Sequence, residues 1–144
     1  MSNWSKSVAG RFLSKGMAKQ VQDAKVLHDE EMLKQQTPAI WESLSTAISS
    51  KCTEVNSEPG IGNLLSLEIP NSDTLEIVRS DTGSKVSLTL LPFYAISVKG
   101  LSKPLQFELR VNNGSSKVSV FTLTGKKTTP EEIAAAVIEH FLEV

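Results

Sequence analysis

The residues best suited to chemistry form one run, His28-Asp29-Glu30-Glu31, in which an imidazole is followed by three carboxylates. Such a set could hold a metal ion or supply a general acid and base. On a helix, successive residues are rotated by about 100°, so the carboxylates fan around the axis and only Glu31 lies on the same side as His28. Helical metal sites use HExxH or ExxH pairs, and neither occurs here. We therefore predict no metal, no cofactor and no catalytic residue in this run.

The second histidine and the single cysteine add no catalytic pattern. Apolar periodicity puts His28 and His140 on helix stripes that face the core, so we expect both histidines to be buried packing residues. If their two helices lay side by side, the imidazoles would form a pH-sensitive pair. Cys52 has no histidine nearby in sequence, no serine lies in a GxSxG elbow, and the Gly125-Lys126-Lys127 run lacks phosphate-loop spacing. The pattern favours a non-enzyme, but carboxylates brought together by folding escape such a search.

Length, composition and charge limit the class of protein. A chain of 144 residues suits one domain, and 40% hydrophobic with 22% charged residues is ordinary for a globular protein. The net charge of −1 gives no bulk attraction for nucleic acid. A lone cysteine forms no internal disulfide and fits a reducing compartment, so we expect a cytoplasmic protein.

The N-terminal segment is compositionally distinct, because four basic residues and no acid precede Asp23. Its apolar residues recur at i, i+4 spacing, which places them on one side of a helix. The residues expected to touch a protein partner or a membrane surface, in a contact segment running to residue 19, are Trp4, Val8, Arg11, Phe12 and Lys15. A targeting presequence and a frayed extension share this composition. We expect residues 1–16 to form a basic arm, flexible or loosely docked, and residues 17–144 a single domain.

Three helical segments are predicted in that domain. Apolar spacing indicates a helix over residues 17–36, and Thr37-Pro38 then predicts a break, with Thr37 as the N-cap of a second helix over residues 38–55. Thr129 and Glu132 form a capping box around Pro130, which predicts a C-terminal helix. Together they give a long, broken N-terminal helix and a capped C-terminal one.

Between these helices the apolar period changes to two, which is typical of half-buried strands. Short turn signals separate the strands, so we predict an α+β fold with an antiparallel meander of five or six strands and the helices on one face. Pro92 leaves open whether residues 85–99 form one strand or two. Phe121 and Leu123 switch parity after Val120, which predicts a bulge or two-sided burial.

The other face of the sheet is expected to be wet and without an aromatic platform, which argues against nucleic-acid binding. An uncovered sheet with an open edge strand could instead pair with a partner. The leading hypothesis is therefore a non-catalytic interaction or adaptor domain, including self-association. One alternative is a small-molecule or lipid-binding domain with its cavity between helices and sheet, which could extend to an enzyme of that fold. Another is a peripheral membrane protein that uses the basic arm.

Overall fold

A computed structural model describes the backbone of residues 2–112 and 115–143 and the side chains from Lys25 onward. The α+β prediction is confirmed, with seven strands rather than five or six. The elements are α1 (Ser2–Asn56), β1 (Leu65–Asn71), β2 (Thr74–Arg79), β3 (Lys85–Leu91), β4 (Ala95–Lys99), β5 (Leu105–Val111), β6 (Val118–Thr122), β7 (Lys127–Thr128) and α2 (Pro130–Leu142).

Helix α1 runs through the predicted break, with Pro38 inside it, so the prediction of a broken helix was wrong. Thr37 does not act as an N-cap: it is buried, and its Oγ1 has no hydrogen-bond partner within the described part of the chain. An internal proline costs about 3 kcal/mol or more. The buried side chains of Trp41, Leu44 and Ile48 each contribute about 1.5–3 kcal/mol, which offsets that cost. Tertiary packing therefore overrides the local stop signal.

The sheet is an antiparallel meander in which the seven strands lie in sequence order. Residues 85–99 form two strands joined by a three-residue turn, in which the Tyr94 N–H donates to the Leu91 carbonyl at 3.2 Å. Tyr94 has a φ of 57°, in the left-handed region that such turns use at their last position. Pro92 fits the turn because its ring fixes the backbone angle needed at the first turn position.

The register of β6 with β5 and β7 is regular, so of the two predicted alternatives at Phe121 the bulge is absent and burial on both faces of the strand remains. Phe121 pairs with Glu108 of β5 and lies half-buried on the face away from the helices. Leu123 is exposed in the turn that follows β6. The switch in apolar parity therefore marks a change of face and not an inserted residue.

The core lies between the other face of the sheet and the two helices. Alternating strand residues and one stripe of each helix form a single cluster in this space. Its fully buried members of greatest volume are Leu44, Ile48, Leu75, Ile77, Leu88, Ile96, Ile133, Val86, Val98 and Val137.

Helix α2 begins and ends with defined contacts. The Thr129 hydroxyl accepts from the Glu132 N–H at 3.2 Å, which confirms the predicted N-cap. Near its other end, Arg79 lies over the Phe141 ring at 5.8 Å and donates to the Phe141 carbonyl at 3.3 Å. The same guanidinium binds Asp81 through two hydrogen bonds. Arg79 therefore ties the end of β2 to the end of α2.

Helix α1 also reaches both edges of the sheet through side-chain amides. Asn56 donates from Nδ2 to the Leu65 carbonyl at 2.7 Å and accepts from the Leu65 N–H at 2.9 Å. At the opposite edge, Gln36 donates to the Ser116 carbonyl and accepts from the Val118 N–H at 2.8 Å. Each amide thus takes the place of a neighbouring strand at one point of an edge.

Candidate functional site

A surface hollow, here called the α1 groove, lies where α1 meets the turn between β3 and β4. Its volume is about 980 Å³. Its lining residues are Leu27, Glu30, Glu31, Leu33, Lys34, Gln35, Pro92, Phe93 and Tyr94. Helix side chains thus form one wall and a tight turn forms the other.

Two large apolar side chains of this groove face solvent. Phe93 is 88% exposed and Leu27 is 66% exposed, and the neighbouring Val26 is also exposed. Phe93 is held at the tip of the turn between rigid Pro92 and left-handed Tyr94, whose half-buried side chain packs on the core. A tyrosine in this backbone region costs about 1–3 kcal/mol, and such strain tends to occur at binding sites. The fold therefore fixes an aromatic ring in water beside a helix wall that contains Leu27 and Leu33.

The rim of the α1 groove is acidic. Glu30 and Glu31 are both exposed, and no ion pair between described residues involves either carboxylate. Glu31 accepts a hydrogen bond from Gln35 at 3.3 Å, and Lys34 is the one basic residue of the described lining. An apolar floor with two rim carboxylates has the chemistry to take an apolar segment that carries basic residues.

His28 lies in a separate, smaller hollow of about 330 Å³. Its Nε2 is 3.5 Å from the Ser116 hydroxyl and its Nδ1 is 3.4 Å from the Asp29 carboxylate, the same order of groups as in a serine hydrolase triad. Both distances exceed the 2.6–3.2 Å typical of a working triad. The His28 side chain is 48% exposed and that of Asp29 is 36% exposed, so water competes for every contact. The set is a solvated surface contact.

Burial of His28 and His140 was predicted, and both are exposed. The reason at His28 is that, among the described residues of α1, Met32 is the first whose side chain packs on the core, and His28 lies before it. On α2, His140 is rotated away from the buried stripe of Val137 and Phe141. Helical periodicity therefore predicted the spacing of each apolar stripe but wrongly included His28 and His140 at the margins.

The structure does not bring the two histidines together. Val55 of α1 and Ile138 of α2 line one hollow, which places His140 near the end of α1. Val55 follows His28 by 27 residues, and at 1.5 Å per residue this is about 40 Å of helix. The proposed pH-sensitive pair therefore has no contact to support it.

The predicted contact residues Trp4, Val8, Arg11, Phe12 and Lys15 have side chains outside the described residues, so their role stays a prediction. Within residues 25–112 and 115–143, no group of three or more histidine, cysteine or acidic side chains is placed to hold a metal ion. In the same part of the chain, no helix combines the length and apolarity needed to cross a membrane.

The outer face of the sheet contains one aromatic ring that sequence reasoning missed. Arg110 lies over the Phe121 ring at 5.6 Å and also pairs with Glu108. The ring is half-buried under this guanidinium, so it offers little free surface for stacking. The other residue missed was Phe93. Once residues 85–99 are divided into two strands of alternating apolar residues, Pro92 indicates a turn between them, and Phe93 lies at its tip.

Comparisons with known proteins give no relative. No protein-family model matches the chain. Neither the curated proteins nor the solved structures include a significant match. The chain's own geometry therefore provides the only guide to its function.

Proposed function

We propose that this protein is a non-catalytic interaction domain that binds a basic amphipathic helix of a protein partner in the α1 groove. The observation that carries the proposal is the exposure of Phe93 and Leu27 on the two walls of one acidic-rimmed groove. A helix that lays its apolar face between such walls is a common mode of peptide recognition.

The size of the exposed apolar surface fits a reversible contact. Burial of a Phe or Leu side chain contributes about 1.5–3 kcal/mol, so Phe93 and Leu27 together supply about 3–6 kcal/mol. Association costs several kcal/mol in lost freedom, and rim charges add mainly to specificity and association rate. These magnitudes favour a transient complex over a permanent one.

The sheet edges are less suited to the contact than sequence reasoning predicted. On β1, Asn56 occupies the backbone groups of Leu65, the register is irregular between Glu68 and Asn71, and Pro70 has no N–H to donate. On the opposite side β7 has two residues, and Gln36 occupies the N–H of Val118 on β6. A partner strand would therefore find few free backbone groups on either edge.

The experiment is a titration of a synthetic peptide of leucine and lysine, with all leucines on one helical face, into dilute labelled full-length protein. A peptide of the same composition with its leucines spread around the helix is the matched probe. We expect saturable binding of the first peptide alone, weakened about tenfold or more by Phe93→Ala, since loss of one buried ring costs more than 1.4 kcal/mol.

The control variants are Ile69→Ala and Leu123→Ala, which remove exposed apolar side chains that do not line the α1 groove. Both should bind like the unmodified protein. Equal binding of the two peptides, or equal weakening by Phe93→Ala and Ile69→Ala, would show general stickiness and refute a specific groove.

A further inference from the structure

We propose that the helix bound in the α1 groove is supplied by a second copy of this chain, namely residues 2–22 of its α1. This inference rests on the proposed function and names the partner. The two copies would exchange these segments reciprocally, so that each groove is filled by the other chain in a closed, two-fold symmetric dimer.

The charges of the two halves are complementary. Residues 1–22 contain Lys6, Arg11, Lys15 and Lys19 and no acid. Residues 23–31 contain four acidic residues and one lysine, and the two rim carboxylates of the α1 groove are among them. The chain therefore carries both the basic helix that the groove requires and the groove itself.

The apolar spacing also matches the groove. The i, i+4 spacing of Trp4, Val8 and Phe12 predicts one shared side of a helix, and eight helical steps from residue 4 to residue 12 span about 12 Å. The helical wall of the groove, from Leu27 to Gln35, also spans eight helical steps and has the same length. Two turns of the basic segment therefore fit along the wall that contains Leu27.

Continuity of α1 decides between the same chain and a second one. Residues 2–22 and 27–35 belong to one uninterrupted helix, Ser2–Asn56, so the segment cannot fold back on its own groove. In a parallel pair the acidic runs of the two chains would lie together and repel. An antiparallel pair places each basic segment beside the partner's acidic run, which fixes the orientation.

The test measures the mass of the full chain by light scattering across a concentration series. The unmodified protein should form a dimer that dissociates as salt rises. The groove variant Glu30→Lys/Glu31→Lys and the segment variant Lys6→Glu/Arg11→Glu/Lys15→Glu should each raise the dimer Kd about tenfold or more.

Mixing these two variants should give a heterodimer. One groove then pairs the reversed lysines with the reversed glutamates, and the other groove pairs the unmodified glutamates with the unmodified basic segment. The matched control is Glu42→Lys/Glu58→Lys, which makes the same charge change at exposed acids outside the groove and should leave the dimer intact.

A monomer at every concentration would overturn the inference, as would a dimer that neither variant weakens. Co-sedimentation of the monomer with phosphatidylserine vesicles, lost in the segment variant, would assign the basic residues to a membrane surface and would also overturn it. The peptide titration reports on the groove separately. Phe93-dependent peptide binding by a monomeric protein would sink self-association and leave the proposed function standing.

Discussion

Replacement of Asn56 by alanine should destabilise the fold far more than its place at the end of a helix suggests. Its amide supplies two hydrogen bonds, of 2.7 and 2.9 Å, to the backbone of Leu65. Leu65 is 3% exposed, so its N–H and C=O groups have little access to water once the amide is removed.

The expected loss follows from these two groups. A buried donor or acceptor left without a partner costs about 1–3 kcal/mol, which gives about 2–6 kcal/mol for both. Truncation of the side chain opens space in which water can hydrogen-bond to the Leu65 backbone and offset part of this cost. We therefore expect the free energy of unfolding to fall by about 3 kcal/mol. Native domains have about 5–15 kcal/mol in total, so this is a large fraction of the stability.

Urea unfolding followed by circular dichroism would measure the effect. With an m value of about 2 kcal/mol/M, a loss of 3 kcal/mol lowers the midpoint by about 1.5 M. The control is Thr53→Ala, because the Thr53 hydroxyl is exposed and bonds only to Ser49 of its own helix. That variant should stay within about 0.5 kcal/mol of the unmodified protein. A midpoint for Asn56→Ala equal to the control's would refute the role of the amide as an edge partner.

Three further effects follow from single positions. Gly100→Ala should lower the free energy of unfolding by more than about 2 kcal/mol, because φ is 102° and a Cβ would lie 2.4 Å from the Lys85 carbonyl oxygen of β3. The control is Gly83→Ala, which has backbone strain at a φ of 71° but open space around its Cβ. Equal shifts of the urea midpoint in the two variants would exclude a steric clash at Gly100. Burial raises the pKa of the Cys52 thiol above 9.0. Because the unfolded chain then loses the thiol proton more readily than the folded one, stability should fall as pH rises past that value. A Cys52→Ala variant whose stability falls equally steeply at alkaline pH would contradict this. Hydrogen bonds from Arg79 lower the pKa of Asp81 below 3.8. The ionised carboxylate therefore stabilises the fold above that pH, and its contribution is lost as the pH falls through the lowered pKa. In an acid titration, the stability of Asp81→Asn should decline less steeply than that of the unmodified protein.

The parts of the fold that sequence predicted are those in which local and tertiary preferences agree. Buried and less buried residues alternate along β2, β3 and β5 because one face of the sheet packs on the helices, and Thr129 caps α2 as its spacing with Glu132 indicates. The break at Thr37-Pro38 failed because burial of Trp41 and its neighbours outweighs a local stop signal.

The site was harder to predict, because periodicity tells which residues share a side of a helix and not whether anything covers that side. His28 continues the apolar spacing of Met32, but among the described residues of α1 Met32 is the first that packs on the core. Phe93 was hidden for a different reason: a turn tip is defined by the pairing of β3 with β4, and pairing is a tertiary property.

The amides that protect the sheet edges set an order for assembly of the chain during synthesis. The strands pair with their sequence neighbours, so the meander is built from local hairpins that form quickly. Gln36, in contrast, waits for a partner 82 residues later in the chain. Until the ribosome has delivered Val118 and α1 has docked, the nascent sheet carries an open edge. The Gln36 part of α1 is thus among the last parts of the fold to be secured, whereas Asn56 needs only Leu65, and the docking of Gln36 closes the edge at Val118.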